Sequence, residues 1–149
     1  MFKHVLVPSL FGVVTVGAIA AGGFVMASTT TEPTVANGSA RYLAPSEDGA
    51  GEFTYTADVR DDSGILSLHV IAWPASGGLD PTEEELQLVD EATCRSTSDE
   101  TSHCTYELEV AKQEVDELPE GTWYVSVLAT ANDGDTTFLP EAATFAFTH

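Results

Sequence analysis

The stretch that decides the fold is residues 121–138, GTWYVSVLATANDGDTTF. Its apolar side chains recur at every second position, which is the period of a β-strand with one buried face. The members of this row are Trp123, Val125, Val127, Ala129 and Ala131. Residues 132–135 (NDGD) follow, and such residues favour a hairpin turn because they tolerate the backbone angles of tight turns. The stretch therefore predicts a half-buried strand, a turn and a further strand.

The same alternation recurs earlier in the chain. Residues 52–60, 66–72 and 106–110 each alternate apolar with polar side chains, and Leu66 begins the second apolar row. Residues 61–64 (DDSG) predict a turn between the first two of these strands. Several short strands separated by turn signals indicate an antiparallel sandwich of two sheets.

One helix is predicted between the strands. Asp80 is a good N-cap, Pro81 suits the first helical position, and Glu83 completes a capping box. The apolar spacing after these residues predicts a short surface helix over about 81–91.

The N-terminal segment has the three parts of a secretory signal peptide. A basic start at Lys3 and His4 precedes an apolar run from Val5 to Ala21, and small residues around Met26 suit a signal peptidase. We therefore expect residues 1–27 to be a signal peptide. The alternative is a membrane anchor that is not cleaved, because a span needs only about 20 apolar residues.

The signal peptide predicts export, so we expect a secreted, extracellular protein that is free of the membrane after cleavage. Residues 28–37 are rich in threonine and contain Pro33, which predicts a flexible lead-in or a first edge strand. The folded domain is then expected over residues 38–149.

The 149 residues carry a formal net charge of −19. Residues 1–27 hold one of the five lysines and arginines and none of the 24 acidic residues, so signal-peptide cleavage makes the protein more acidic. Such a charge repels phosphate backbones and argues against nucleic-acid binding and against anionic membrane surfaces. The acidity favours either simple solubility outside the cell or attraction of cations, which include calcium and basic partners.

The chain has two cysteines, Cys94 and Cys104, and an exported pair of this kind is expected to form a disulfide. The bridge would close a polar loop that could engage a partner or block a protease cleft; the alternative is a stapled hairpin. The candidate contact residues of this loop are Arg95, Asp99, Glu100 and His103.

Residues 118–127 (LPEGTWYVSV) with the turn at 132–135 resemble the penultimate strand and final hairpin of fibronectin type III and bacterial immunoglobulin-like modules. Trp123 stands where those modules often have a corner tyrosine. Residues 61–65 (DDSGI) are similar to the turn between their second and third strands. The resemblance implies an all-β, immunoglobulin-like antiparallel sandwich with one inserted helix.

The whole chain also resembles a family of small secreted actinobacterial proteins, domain-of-unknown-function family 5707. The segments that carry this likeness are 38–42 (GSARY), 72–75 (AWPA), 92–94 (ATC), 104–106 (CTY) and 140–145 (PEAATF). The resemblance implies export and assigns no activity.

In an immunoglobulin-like topology, the turn at 61–64 and the turn at 132–135 emerge at the same end of the sandwich. Carboxylate and amide oxygens from two such turns could bind Ca²⁺, which takes six to eight oxygen ligands. The candidate ligands are Asp61, Asp62, Asn132, Asp133 and Asp135. The alternative is that Asp, Asn and Gly are present for the turns alone.

No catalytic residues are predicted. The Gly-x-Ser-x-Gly spacing of a hydrolase nucleophile does not occur, and His69 lies in the middle of a predicted strand. We expect a non-catalytic, secreted module that binds a protein or cell-surface partner and needs no cofactor apart from weakly bound Ca²⁺. The alternatives are a protease-inhibitor-like protein that acts through the Cys94–Cys104 loop and, less favoured, a hydrolase.

Overall fold

The computed structural model describes residues 13–14 and 32–149, which form a sandwich of two antiparallel sheets. The predicted signal peptide and the start of the lead-in lie outside the described residues, apart from Val13–Val14. The strands are β1 Val13–Val14, β2 Thr34–Leu43, β3 Gly51–Arg60, β4 Ile65–Pro74, β5 Thr93–Ser96, β6 Thr101–Val110, β7 Gly121–Ala131 and β8 Thr136–Phe147.

The strand order is β1-β2-β3-β6-β5 in one sheet and β4-β7-β8 in the other. With the two-residue β1 set aside, the remaining seven strands have the order of the seven-stranded immunoglobulin sandwich. The all-β sandwich that the alternation predicted is confirmed. Among the described residues, none of the helices has the length and apolarity needed to cross a membrane.

β2 begins at Thr34, inside the segment 28–37 that the sequence analysis left as a lead-in or an edge strand. Its pairing with β3 is interrupted by a bulge between Ala36 and Ser39. Gly38 lies within this bulge, and a Cβ there would come 2.8 Å from the Tyr55 hydroxyl oxygen. Only glycine therefore fits without a shift of the neighbouring side chain.

The core lies between the inward faces of the two sheets. The row that begins at Trp123 is buried as predicted, and Trp123 packs against Phe145 and Phe147 of β8 with ring centroids 6.1 and 4.9 Å away. The prediction for Leu66 was wrong, because its side chain is 64% exposed. A bulge between Ile65 and Ser67 interrupts the alternation at that point.

The helix is shorter than the predicted 81–91. Helix α1 is Glu83–Leu86, and its capping box joins Thr82 to Glu85, whereas Asp80 has a φ of 49° and lies outside the helix. The helix ends early because the chain then pairs with the edge of β4. Val70 N–H donates to the carbonyl of Asp90, and Ala92 N–H donates to the carbonyl of Leu68.

A second short helix, α2 Lys112–Val115, connects β6 to β7 and was not predicted. Val115 is its buried residue. Ala111, Val115 and Leu118 have the spacing of one helical face, but a helix of one turn is too short for its apolar period to distinguish it from a loop.

Candidate functional site

The predicted disulfide between Cys94 and Cys104 is confirmed. The two cysteines face each other directly across β5 and β6, with their Cα atoms 4.0 Å apart. Cys104 is fully buried, so the bridge fixes the edge strand β5 to the core side of its sheet. The bridge therefore staples a hairpin.

The segment expected to be a loop is largely β-structure, because strand pairing continues to Ser96 and Ser102. Arg95 and His103 are cross-strand neighbours. Their side chains are exposed, and so is that of Asp99. Glu100 is half-buried and held in place: its carbonyl accepts from the backbone N–H of Asp61. The free part of the hairpin is thus a short tip rather than an extended loop.

Ion pairs and hydrogen bonds at Glu100 and His103 fix the tip of this hairpin, and the start of β6 beside it, to β3. The Glu100 carboxylate forms an ion pair with Arg60. His103 Nδ1 donates to Asp58 Oδ1 over 2.8 Å, and the Asn37 amide donates to the other oxygen over 2.9 Å. The hydrogen bond from His103 has the larger effect and the one from Asn37 the smaller, and together they hold the pKa of Asp58 below its ordinary value. His103 therefore stabilises the sheet as well as lying on its surface.

The structure brings the two predicted acidic turns together. Asn132 N–H donates to the carbonyl of Gly64, the Asn132 amide donates to the carbonyl of Ser63, and Asp133 N–H donates to Ser63 Oγ. The predicted ligands from both turns are therefore neighbours at one end of the sandwich. Asp62 and Asp133 are exposed at this end.

Two carboxylates of these turns, those of Asp61 and Asp133, accept hydrogen bonds from residues of their own turns. Asp61 is 3% exposed, and its Oδ2 accepts from the N–H and Oγ of Ser63 at 2.9 and 2.7 Å. Asp133 Oδ1 accepts from Asp135 N–H at 3.0 Å. Asp61 Oδ1 is buried, and no protein atom of the described residues bonds to it. Nowhere in the described chain do three His, Cys, Asp or Glu side chains meet as a metal site would require.

We expect millimolar Ca²⁺ to leave the melting temperature unchanged within about 1 °C, because a ligand stabilises the fold only if it binds the folded state. Among the described residues the carboxylates of the turns do not converge as a group of three, whereas Ca²⁺ takes six to eight oxygen ligands. Thermal melts with Ca²⁺ and with a chelator test this. A dose-dependent rise that is lost in Asp61→Ala and Asp133→Ala would instead establish the cation site.

His69 is engaged with the segment that follows α1. Its Nδ1 donates to the carbonyl of Val89 over 2.9 Å, and its Nε2 lies 3.9 Å from Glu91 Oε2. The imidazole thus ties β4 to residues 89–91 and supports the edge pairing of that segment. This arrangement is that of a structural histidine.

A groove that the sequence did not predict opens between the two sheets. It is called the apolar groove below, and its volume is about 430 Å³. Phe53, Tyr106 and Leu108 line it from the larger sheet, and residues 70–74 line it from β4. The groove is open because β5 pairs only with residues 102–105 of β6, which leaves the second half of β6 beside the edge strand β4.

The connections on either side of the sheets complete the apolar groove. Leu79, Leu88 and Val89 come from the segment around α1, and Leu118 and Trp123 come from the segment after α2. Leu79 is 55% exposed and Leu88 is 86% exposed, so large apolar side chains stand at the rim. Exposed leucines beside an apolar cavity are typical of a binding surface.

Both tryptophans of the chain line the apolar groove. The Trp73 N–H donates to Ser126 Oγ over 2.8 Å, and the Trp123 N–H donates to the carbonyl of Pro119 over 2.9 Å. The second bond closes the corner before β7, as a tyrosine does in many immunoglobulin sandwiches. Both N–H groups bond within the protein, and the two side chains are 6% and 2% exposed, so the rings lie at the buried side of the groove.

A second groove adjoins the first on the outer side of β5 and β6 and is called the polar groove. Its volume is about 840 Å³, and its charged lining residues are Asp90, Glu91, Arg95, His103 and Glu107. Asp90 and Tyr106 line both grooves. The Tyr106 hydroxyl donates to Asp90 Oδ2 over 3.1 Å, and burial together with this carboxylate raises the pKa of Tyr106 well above its ordinary value.

A comparison with family models matches residues 35–129 to the family described as "Family of unknown function (DUF5707)". The match covers more than half of the chain. The protein belongs to the DUF5707 family. Searches of curated proteins and of solved structures found no significant match.

The matched range contains every residue that lines the two grooves of this DUF5707 domain, whereas β8 lies outside it.

The grooves were not predicted from the sequence because their residues come from separate strands and connections. A signal was nevertheless present in the sequence. Within the predicted helix 81–91, no apolar residue lies three or four positions from Leu88 on the same face. An isolated, exposed leucine of this kind can mark a binding surface.

Proposed function

We propose that this DUF5707 protein is an exported, non-catalytic binding module that holds an apolar group of its ligand in the apolar groove. The observation that carries the proposal is the groove itself, which is lined by two tryptophans and rimmed by exposed Leu79 and Leu88. Its volume falls within the range of roughly 300–1,000 Å³ that ligand pockets occupy.

The geometry favours binding over the two alternatives. A hydrolase needs a nucleophile beside a base, and His69 is committed to Val89 and Glu91. An inhibitor of the kind first considered would need a protruding loop between the cysteines, and that segment is a paired hairpin anchored through Glu100. The hairpin disulfide supports export, because such bonds persist in oxidising compartments.

The first test is binding of N-phenyl-1-naphthylamine, a neutral apolar dye, to the purified protein. We expect one dye per chain with a Kd of about 10 μM, as for a small apolar ligand that is largely buried. The readout is quenching of the intrinsic tryptophan emission, which reports on the groove because both tryptophans line it.

Paired variants show where the dye binds. We expect Leu79→Ser with Leu88→Ser to weaken dye binding about tenfold, because the apolar rim is lost. Leu43→Ser with Leu66→Ser is the matched control, since these leucines are 66% and 64% exposed and lie outside the groove. Dye binding that is absent, or equally weakened by both pairs, would contradict the proposed function.

A further inference from the structure

The apolar groove is bordered by acidic chain segments. The segment 79–91 supplies the rim residues Leu79 and Leu88 and contains six acidic and no basic residues. Residues 114–120, which supply Leu118, contain four acidic residues and again no basic one. Of these acidic residues Asp90 lines the groove, and the net charge of −19 makes the potential around the protein negative.

The polar groove continues this acidic surface from the point at which the two grooves meet. Three carboxylates line it, those of Asp90, Glu91 and Glu107, and one guanidinium, that of Arg95. His103 also lines it and faces Asp58. The hydrogen bond from Tyr106 holds the Asp90 carboxylate at the boundary of the two grooves.

We propose that the two grooves together bind a segment of another protein in which a large apolar side chain is followed by lysine or arginine. The inference rests on the proposed function and names the partner of that same site. The apolar side chain enters the apolar groove, and the basic side chain that follows lies against Asp90 at the start of the polar groove.

The extent of the surface favours a protein segment over a small molecule. Leu88 lines the rim of the apolar groove but is 86% exposed, so a ligand confined to about 430 Å³ covers only part of its side chain. The adjoining polar groove is larger than the apolar one, so the combined surface suits an extended chain. The charge of −19 disfavours anionic macromolecules and complements a basic segment.

The test uses three blocked peptides, acetyl-GFKKG-amide, acetyl-GFEEG-amide and acetyl-GAKKG-amide, each titrated against the tryptophan emission. At low salt we expect GFKKG to bind about tenfold more tightly than either of the other two. The preference over GFEEG should shrink in 0.5 M NaCl, because the Debye length then falls to roughly 4 Å.

A charge variant locates the basic subsite. We expect Asp90→Asn, which keeps an oxygen for the Tyr106 hydrogen bond, to reduce the preference of GFKKG over GFEEG about threefold. The matched control is Asp48→Asn, because Asp48 is exposed and lies outside both grooves. The control should retain the full preference.

The outcomes separate this inference from the proposed function. If the dye binds but GFKKG and GFEEG bind equally, or GAKKG binds as tightly as GFKKG, the inference is overturned and the proposed function stands. If neither the dye nor any peptide changes the tryptophan emission, the proposed function fails as well. An equal loss of preference in Asp90→Asn and Asp48→Asn would also overturn the inference, because the effect would then be one of net charge alone.

Discussion

Replacement of Trp123 by alanine is expected to lower the free energy of unfolding by about 4 kcal/mol, the typical cost of removing a buried tryptophan. Trp123 is 2% exposed, and its ring packs against Phe145 and Phe147 of the neighbouring strand β8, so alanine leaves a large cavity in the buried core. The change also removes the indole hydrogen bond and leaves the carbonyl of Pro119 without that donor.

Urea denaturation measures the loss, with an unchanged m-value as the sign that the unfolding remains two-state. Trp123→Phe keeps an aromatic ring and removes the N–H donor, so we expect it to be considerably less destabilising than alanine. Leu66→Ala is the surface control and should stay within about 0.5 kcal/mol of the wild type. A loss below about 2 kcal/mol for Trp123→Ala would mean that Trp123 contributes less to the stability of the core than its burial implies.

Removal of the disulfide is expected to lower the free energy of unfolding by about 3 kcal/mol. The bridge joins residues ten positions apart, and closing a loop of that length restricts the unfolded chain by about this amount. β5 has four residues and pairs only with β6 among the described strands, so without the bridge a short edge strand depends on a few backbone hydrogen bonds.

The double variant Cys94→Ala/Cys104→Ala and treatment of the wild type with dithiothreitol should give similar losses in urea denaturation. Because the chain has two cysteines, the reductant acts on this bond alone, and it should have no effect on the double variant. A reduced protein as stable as the oxidised one would contradict the bracing role of the bridge. It would leave the hairpin anchored by Glu100 and His103 alone.

Several features of the fold were predictable because they depend on near neighbours in the chain. The row from Trp123 to Ala131 predicted a buried strand face through its period of two, and the turn after it predicted the β7–β8 hairpin. The cysteine pair predicted its own bridge, since no other partner exists in the chain. The two acidic turns were also correctly placed at one end of the sandwich.

The helix and Leu66 show where local patterns lose to tertiary contacts. Asp80 and Pro81 carry good signals for a helix start, but the helix begins after Thr82 and ends at Leu86, because residues 90–92 pair with β4. Leu66 fits the apolar row, but the bulge in β4 exposes it. In both cases the decisive hydrogen bonds join residues that are distant in sequence.

Local patterns predicted most of the strands, their inward faces, the turns and the disulfide, because period, turn chemistry and cysteine count act over a few residues. The exceptions are β5, which was expected to be a loop, and Leu66, which faces outward. The tertiary structure alone decided the two grooves. Phe53, Trp73, Leu88 and Tyr106 belong to four separate segments, and they line one cavity because β5 stops halfway along β6 and leaves the sandwich open beside β4. Such a gap is set by where strands end relative to one another across the sandwich, a relation that no local pattern contains.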